Sequence, residues 1–403
     1  LRPQRPLRLC GCLKVSMSAI PETDIRDLDW NIVPSPCFVV DTRLLERNAR
    51  IFARVRQEAG CKILAALKGF AMWSVFPVLK PHLDGCCASG PVEAQLAREE
   101  FNKEVHTYAV AYSDADMAET IPLSDHIVFN SPAQLARFLP QIRASGRHID
   151  VGLRVNPEYS EVEVELYNPC AVGSRLGTRR NQLGADLPEG VSGLHFHVMC
   201  EQGADVLERV LAHVEDRFGD LLPKLKWINF GGGHHITKPG YDVDGLVALI
   251  KDFRARHPHL TVYLEPGEAV GLNTGVLVAS VLDVVENGLP VAILDVSATA
   301  HMPDTLEMPY RPTIHGAGDA GATKHTYRLG GPTCLAGDVA GDWSFAKPLK
   351  AGDRVVFADM AHYTMVKTTM FNGVKHPSIA TWDGKNLRVV RRFGYADYRN
   401  RLS

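Results

Sequence analysis

The sequence predicts an α/β protein: a (β/α)8 barrel with a mainly antiparallel β-sandwich or barrel domain attached. Three observations carry this. Between residues 37 and 267, eight apolar strand-like runs alternate with amphipathic helical segments. After Gly267 the texture changes to short apolar runs separated by Gly, Pro and Asp, with little helical periodicity. No GxGxxG follows the first strand, which argues against a doubly wound dinucleotide fold.

Residues 1–18 are expected to be a disordered extension. Residues 1–16 hold Arg2, Arg5, Arg8 and Lys14 and no acid, as a transit segment would. Their prolines and shortness favour a disordered stretch ahead of a start at Met17. The barrel is expected over residues 41–273. Its strands are read at 63–68, 83–89, 105–111, 126–130, 149–156, 193–199, 227–233 and 261–267. Each of these is a short apolar run, the mark of a strand buried on both faces. Helical spacing of apolar residues marks 91–102, 132–145, 204–218 and 243–256. The β domain is expected over 19–40 and 274–403, with strands at 37–40, 276–285, 291–296, 354–357 and 387–390.

Composition bounds the function. The chain has 403 residues, 45% hydrophobic and 22% charged, which is ordinary for a globular protein with room for two domains. A net charge of -2 gives no reason to expect nucleic acid or an anionic membrane as partner. No apolar run approaches the roughly 20 residues a membrane helix needs. Nine cysteines form no CxxC pair. With Cys86 and Cys87 in an apolar run, they suggest reduced thiols and a reducing, cytoplasmic setting.

Chemistry in such a barrel sits where strands end. Polar residues gather there: Lys68, Ser89, Arg154, Asn156, His197, Gly231 to Gly233, and Glu265. Singly, each has a plain structural reading. A lysine can snorkel, a glycine run can be a turn, and a core acid can be salt-bridged. Their shared rim is the signal. An amine at that position can attack a carbonyl and form an imine. Three glycines let backbone N–H groups approach a phosphate. His197 can stack on an aromatic ring, and Glu265 supplies a carboxylate. Together these describe a pyridoxal phosphate site. His195, Cys200, Glu201, His234 and His235 lie close by in sequence, but no HExxH or CxxC spacing supports a metal, and none is expected.

Ala66-Leu67-Lys68, His195-Phe196-His197, Gly231-Gly232-Gly233, Glu265-Pro266-Gly267, Gly331-Pro332-Thr333-Cys334 and Ala361-His362-Tyr363-Thr364 occur in that order. In this the chain resembles the barrel-type pyridoxal phosphate decarboxylases of ornithine, arginine and diaminopimelate. Finer segments resemble the carboxynorspermidine decarboxylase branch. They are His197-Val198-Met199-Cys200-Glu201-Gln202, the glycines with His234-His235, Glu265-Pro266-Gly267-Glu268-Ala269, and His301-Met302-Pro303-Asp304 with Leu306-Glu307-Met308-Pro309-Tyr310-Arg311-Pro312.

The resemblance implies roles. Lys68 would hold the cofactor, His197 would stack on its ring, and Gly231, Gly232, Gly233 and Tyr363 would bind its phosphate. Glu265 would pair with the pyridine nitrogen. Asp84, Ser89 and Arg154 would support the cofactor. Cys334 would act as general acid in the partner's site of a homodimer. The chain also departs from its relatives. Glu268 stands where many have arginine, Leu335 follows Cys334 where several have an acid, and Cys200 replaces a small hydroxyl residue. These departures disfavour ornithine or diaminopimelate. The implied substrates are carboxynorspermidine and carboxyspermidine, whose amines would suit Glu201, Glu268, Asp295, Asp304 or Glu307. The rival readings are another basic amino-acid decarboxylase, a non-catalytic polyamine regulator, and a housekeeping protein that binds the cofactor on a lone barrel. Intact Lys68, Glu265 and Cys334 oppose the regulator. The β domain opposes the lone barrel. An acid at the pyridine nitrogen opposes racemization.

Overall fold

The computed structural model describes residues 25–403, so the extension expected at 1–18 lies outside the described residues. The first strand is β1 (Cys37–Asp41). A helix, Thr42–Ala59, follows at once. Asp41 starts it by accepting from the amides of Arg43 and Leu44, and Gly60 ends it at φ 66°. Leu45, Ala49, Phe52, Val55 and Ala59 form its buried stripe.

Eight parallel strands then close a barrel. They are β2 (Lys62–Ala66), β3 (Gly85–Ala88), β4 (Glu104–Tyr108), β5 (His126–Phe129), β6 (Asp150–Arg154), β7 (Val191–His195), β8 (Trp227–Asn229) and β9 (Thr261–Leu264). Strand β9 pairs back onto β2. All eight predicted runs contain a strand, but pairing stops before each run ends. The excess has a physical cause. Leu67, Phe196, Val198 and Phe230 lie beyond the strand ends and are still buried. Apolar character reports burial, not hydrogen bonding. The helices Ala204–Phe218 and Val243–Arg256 keep their predicted bounds. The expected helix at 91–102 divides into Pro91–Leu96 and a π-helical turn, Ala97–Phe101.

The N-terminal end of the barrel is plugged by an unusual interior. Trp227 fills the space of two absent side chains: a Cβ on Gly193 would lie 2.0 Å from its ring, and one on Gly152 2.4 Å. Beside it the His106 and His126 rings stack at 3.8 Å. Their Nε2 atoms reach Glu104 at 2.9 and 3.2 Å, and Lys62 Nζ and the Tyr263 hydroxyl also donate to that carboxylate.

The second domain is a nine-stranded sheet built on the long β10 (Gly275–Glu286). It adds β11 (Pro290–Leu294), β12 (Ala317–Asp319), β13 (His325–Gly330), β14 (Val339–Phe345), β15 (Arg354–Ala358), β16 (Ser378–Trp382) and β17 (Leu387–Arg391). Strand β10 changes partners along its length, pairing β1 and β15 first and β11 later. Leu277, Ala279 and Val281 enter one core with Phe38, Trp343 and Phe357. Val276 and Val278 enter another with Cys37, Val39 and Trp382. The sheet is mainly antiparallel, but β1 with β16 and β11 with β13 are parallel. Strands β12, β13, β14 and β16 were not anticipated from sequence. Residues 359–369 tie this domain to the barrel, where the Tyr363 amide donates to Gly69 O at 2.7 Å. Among the described residues no helix is long and apolar enough to cross a membrane.

The Trp227 plug gives a stability prediction. Gly193→Ala should lower unfolding free energy by about 1–3 kcal/mol, because overpacking forces a shift in the ring or strand. Urea unfolding followed by tryptophan fluorescence measures it.

Candidate active site

Lys68 lies two residues past β2. The Leu67 amide donates to Cys87 O and the Gly69 amide to Ala66 O, which turns the chain at the barrel rim. Gly69 is required there: a Cβ would stand 2.8 Å from the Gly267 carbonyl carbon, just after Glu265. The Lys68 side chain lines a cavity of about 570 Å³ with Ser89, Tyr108, Arg154, His195, His197 and Glu265. Its Nζ is 3.5 Å from His197 Nε2. Residues 165–176 form much of the remaining wall. Asn130 holds that loop through Arg175 O at 2.7 Å, and Asn156 reaches Pro169 O and Leu176 O at 3.4 Å each.

Two side chains of opposite character face the lysine. His197 accepts from the Gly232 amide through Nδ1 at 2.8 Å. Burial, and then the charge of Lys68, push its pKa well down, so the ring is neutral and flat against the cavity. Arg154 donates to His197 O at 2.9 Å and lies 4.8 Å over the Tyr108 ring. Glu265 accepts from Asn229 Nδ2 at 2.7 Å and sits 3.3 Å from His195 Nε2. Burial works to raise its pKa, but His195, His106 and Asn229 outweigh it and hold the carboxyl at about 2. Burial lowers the pKa of His195 in turn, against the pull of Glu265. A buried, ionised carboxylate is the counterpart of a protonated ring nitrogen.

The other predicted residues divide. Gly231 and Gly232 have inward amide partners, Asn229 Oδ1 and His197 Nδ1. A Cβ on any of the three glycines would lie within 2.4 Å of backbone oxygen, so the loop is glycine for close packing in the first place. Tyr363 is half-buried; burial, then Glu268, Cys200, Cys87 and Asp304, raise its pKa. Asp84 is not with this group. It precedes β3 at the opposite end of the barrel, 3.5 Å from Arg56, and accepts from the Ile63 amide. Asp295 is likewise elsewhere, holding the Ser280 amide at 2.8 Å inside the sheet domain. Cys334 is exposed, its amide on Asn372 Oδ1 at 3.1 Å, and it does not line the Lys68 cavity of its own chain.

Four of the predicted acids remain, in two groups. Glu201, Glu268 and His235 bring ligand atoms within 4.8 Å of one another. Burial and Glu268 push the pKa of Glu201 up. Burial also works to raise Glu268, but His235 at 3.3 Å and His362 hold it down. His362 lies 3.2 Å from Asp359. Burial opposes its charge, yet Asp359, Glu268 and Glu201 lift its pKa to about 9. Asp304 and Glu307 share a cation of their own, Lys367. Sequence reasoning missed Asn229, His362 and Lys367. Asn229 was findable, since it is a polar residue ending a barrel strand.

The cavity fits pyridoxal phosphate in its amine, its neutral stacking ring and its uncompensated carboxylate. The fold and this site define a pyridoxal phosphate-dependent barrel enzyme. The family profile described as pyridoxal-dependent decarboxylase, C-terminal sheet domain, matches residues 37–361. Carboxyaminopropylagmatine decarboxylase of Synechocystis is 49% identical over 372 residues, covering 92% of this chain and 96% of that one. Carboxynorspermidine/carboxyspermidine decarboxylase of Campylobacter jejuni is 45% identical over 379 residues, covering 91% and 98%. The crystal structure of C. jejuni carboxynorspermidine decarboxylase with norspermidine matches at TM-score 0.85 and 43% identity, covering 92% of this chain and 100% of that one. The chain belongs to the pyridoxal-dependent decarboxylases and is a carboxy-lyase that uses pyridoxal 5'-phosphate.

The Asn229 bond to Glu265 sets a pH dependence. Asn229→Ala removes a donor to the ionised form, so the Glu265 pKa must rise. A hydrogen bond to a charged group contributes about 1.5–3 kcal/mol, or roughly one to two pH units. Starting from about 2, the acidic limb of the kcat/KM profile should move up to roughly pH 3–4, as steady-state assays from about pH 2.5 to 7 would show.

Proposed function

We propose that the protein decarboxylates a carboxylated polyamine, carboxynorspermidine or carboxyspermidine, releasing norspermidine or spermidine. One observation carries the reading. The Lys68 and Glu265 cavity adjoins carboxylates suited to a chain of protonated amines: the Tyr363 amide is bonded to Gly69 O beside Lys68, and Glu268 backs onto the same glycine. The names of relatives at 45% and 37% identity support it. Leu335 beside Cys334 further disfavours ornithine and diaminopimelate. A second reading is carboxyaminopropylagmatine, on which the 49%-identical relative acts by name. Its guanidinium would suit a paired acid such as Asp304 with Glu307.

Bound pyridoxal phosphate supplies a sink for the electron pair left when CO2 departs. Lys68 anchors the cofactor through its amine. Glu265, held ionised, keeps a proton at the pyridine nitrogen. His197, held neutral, stacks on the ring. The Gly233 amide and the Tyr363 hydroxyl meet the phosphate, and Ser89 and Arg154 line the cavity around it. Glu268 and Asp304 orient the distant amines. Cys334 comes from the partner of a homodimer and returns a proton to the α-carbon. The cytoplasm, where thiols stay reduced, is the proposed setting.

Three measurements test this. Incubation of the holoenzyme with carboxynorspermidine, carboxyspermidine, carboxyaminopropylagmatine, ornithine and diaminopimelate should yield norspermidine or spermidine fastest by mass spectrometry. Preference for ornithine or diaminopimelate would overturn the reading. Borohydride reduction and peptide mapping should place the pyridoxyl group on Lys68. Lys68→Ala and Cys334→Ala should each be nearly inactive. Randomly reassembled mixtures should recover up to about a quarter of wild-type sites, since one site of each mixed dimer is intact. No recovery from verified mixed dimers would exclude a shared site.

A further inference from the structure

Lys367 is the least expected member of the site. Its Nζ donates to Asp304 Oδ1 and to Glu307 Oε2, the latter at 2.5 Å. The acids open and close one helical turn, Asp304–Glu307, a spacing that brings both carboxylates to one side. The lysine is fixed from below, its amide donating to Tyr363 O at 2.8 Å. Burial opposes its charge, but the two carboxylates outweigh burial and keep it protonated.

The cluster is joined to the reaction cavity through the backbone: the Lys367 amide is bonded to Tyr363 O, and the Tyr363 amide to Gly69 O, beside Lys68. Tyr167 lines the Lys68 cavity, and its pKa is raised by burial and then by Asp304, with Lys367, Cys200 and Glu307 also acting on it. Burial, then Glu268, Cys200, Cys87 and Asp304, raise the pKa of Tyr363. A Cβ on Gly69 would lie 3.0 Å from the Glu268 nitrogen, so on this reading a cationic chain extending from Lys68 meets Glu268 before the Asp304 pair.

We propose that Lys367 is a specificity-determining internal competitor: its ammonium fills the distal cation subsite at Asp304 and Glu307, and a substrate's terminal cation binds by displacing it. This rests on the polyamine reading above. A lysine head and the end of an aminopropyl chain are the same group, a methylene bearing NH3+. Exchanging one for the other yields little net charge stabilisation at that subsite. A substrate gains instead where no lysine competes, at its secondary amine near Glu268 and Glu201. An amino acid too short to reach the pair leaves Lys367 in place. A guanidinium, bonding both acids at once, displaces it more readily than an ammonium.

The test compares Lys367→Met with Lys367→Arg in the holoenzyme. If Lys367 fills the subsite nine-tenths of the time, apparent affinity is weakened about tenfold. Lys367→Met should then lower KM for carboxynorspermidine, and Kd for norspermidine by calorimetry, by up to about tenfold, with a larger effect on KM than on kcat. Lys367→Arg, a tighter occupant, should raise both. A lysine that only braces the acids predicts the reverse: KM would rise in Lys367→Met and stay near wild type in Lys367→Arg. Either that pattern or no change in a folded Lys367→Met would overturn the proposal. Should Lys367→Met fail to fold, Lys367→Arg decides, and an unchanged or lower KM overturns it. Norspermidine binding needs no turnover. It reads Lys367 even if mass spectrometry shows that the enzyme prefers another substrate, which would sink the functional reading separately.

Discussion

Glu265 is a buried carboxylate that remains ionised, and the surroundings needed to keep it so account for much of the site. An unpaired charge in the interior is costly enough that a carboxyl usually takes up a proton instead. Here Asn229 donates to it, and His195, 3.3 Å away, together with His106 holds its pKa down against burial. Asn229 also accepts from the Gly231 amide, which fixes the glycine loop to the same carboxylate. The next amide, of Gly232, orients His197, and Arg154 holds His197 by its carbonyl. One electrostatic requirement thus runs through three strand ends and sets the ring that faces Lys68.

The barrel separates two polar populations that a smaller core could not. At its N-terminal end Glu104 also escapes protonation, but there Lys62, Tyr263 and two histidines satisfy it. That carboxylate has its donors and a cation, and it closes the barrel floor. Glu265 has the Asn229 amide as its donor and, among the described residues, no lysine or arginine in salt-bridge contact, and it faces a cavity. The contrast between the two acids, more than the burial of either, marks which end does chemistry.

The strands and the rim were legible because burial on both faces leaves continuous apolar runs, and polar residues stand out at their ends. Lys68, Glu265 and His197 were found that way. The ends themselves were misplaced because Leu67, Phe196 and Phe230 are buried in loops, and hydropathy cannot tell a buried loop from a strand. The cavity wall at 165–176 was invisible, since a loop pinned by Asn130 and Asn156 carries no periodicity. Asp84 was misplaced by trusting a motif over strand direction: it precedes β3, and only residues that follow a barrel strand reach the active rim. Four strands of the second sheet, β12, β13, β14 and β16, were missed because they are partly exposed and rich in polar residues.

The acidic end of the site carries its own counter-ions, and this shapes how it can discriminate. Glu201, Glu268 and Asp359 lie with His362, which their charges keep protonated to about pH 9, and Asp304 and Glu307 lie with Lys367. Bare carboxylates at such distances would repel one another and draw any small cation. Neutralised in advance, they hold their geometry and respond only to a cation that arrives in the right place. Charge alone then selects little. On the polyamine reading proposed above, selection would pass to the spacing between the amines, and a pocket of this kind could change its preferred tail by moving one internal cation, without altering Lys68, His197 or Glu265.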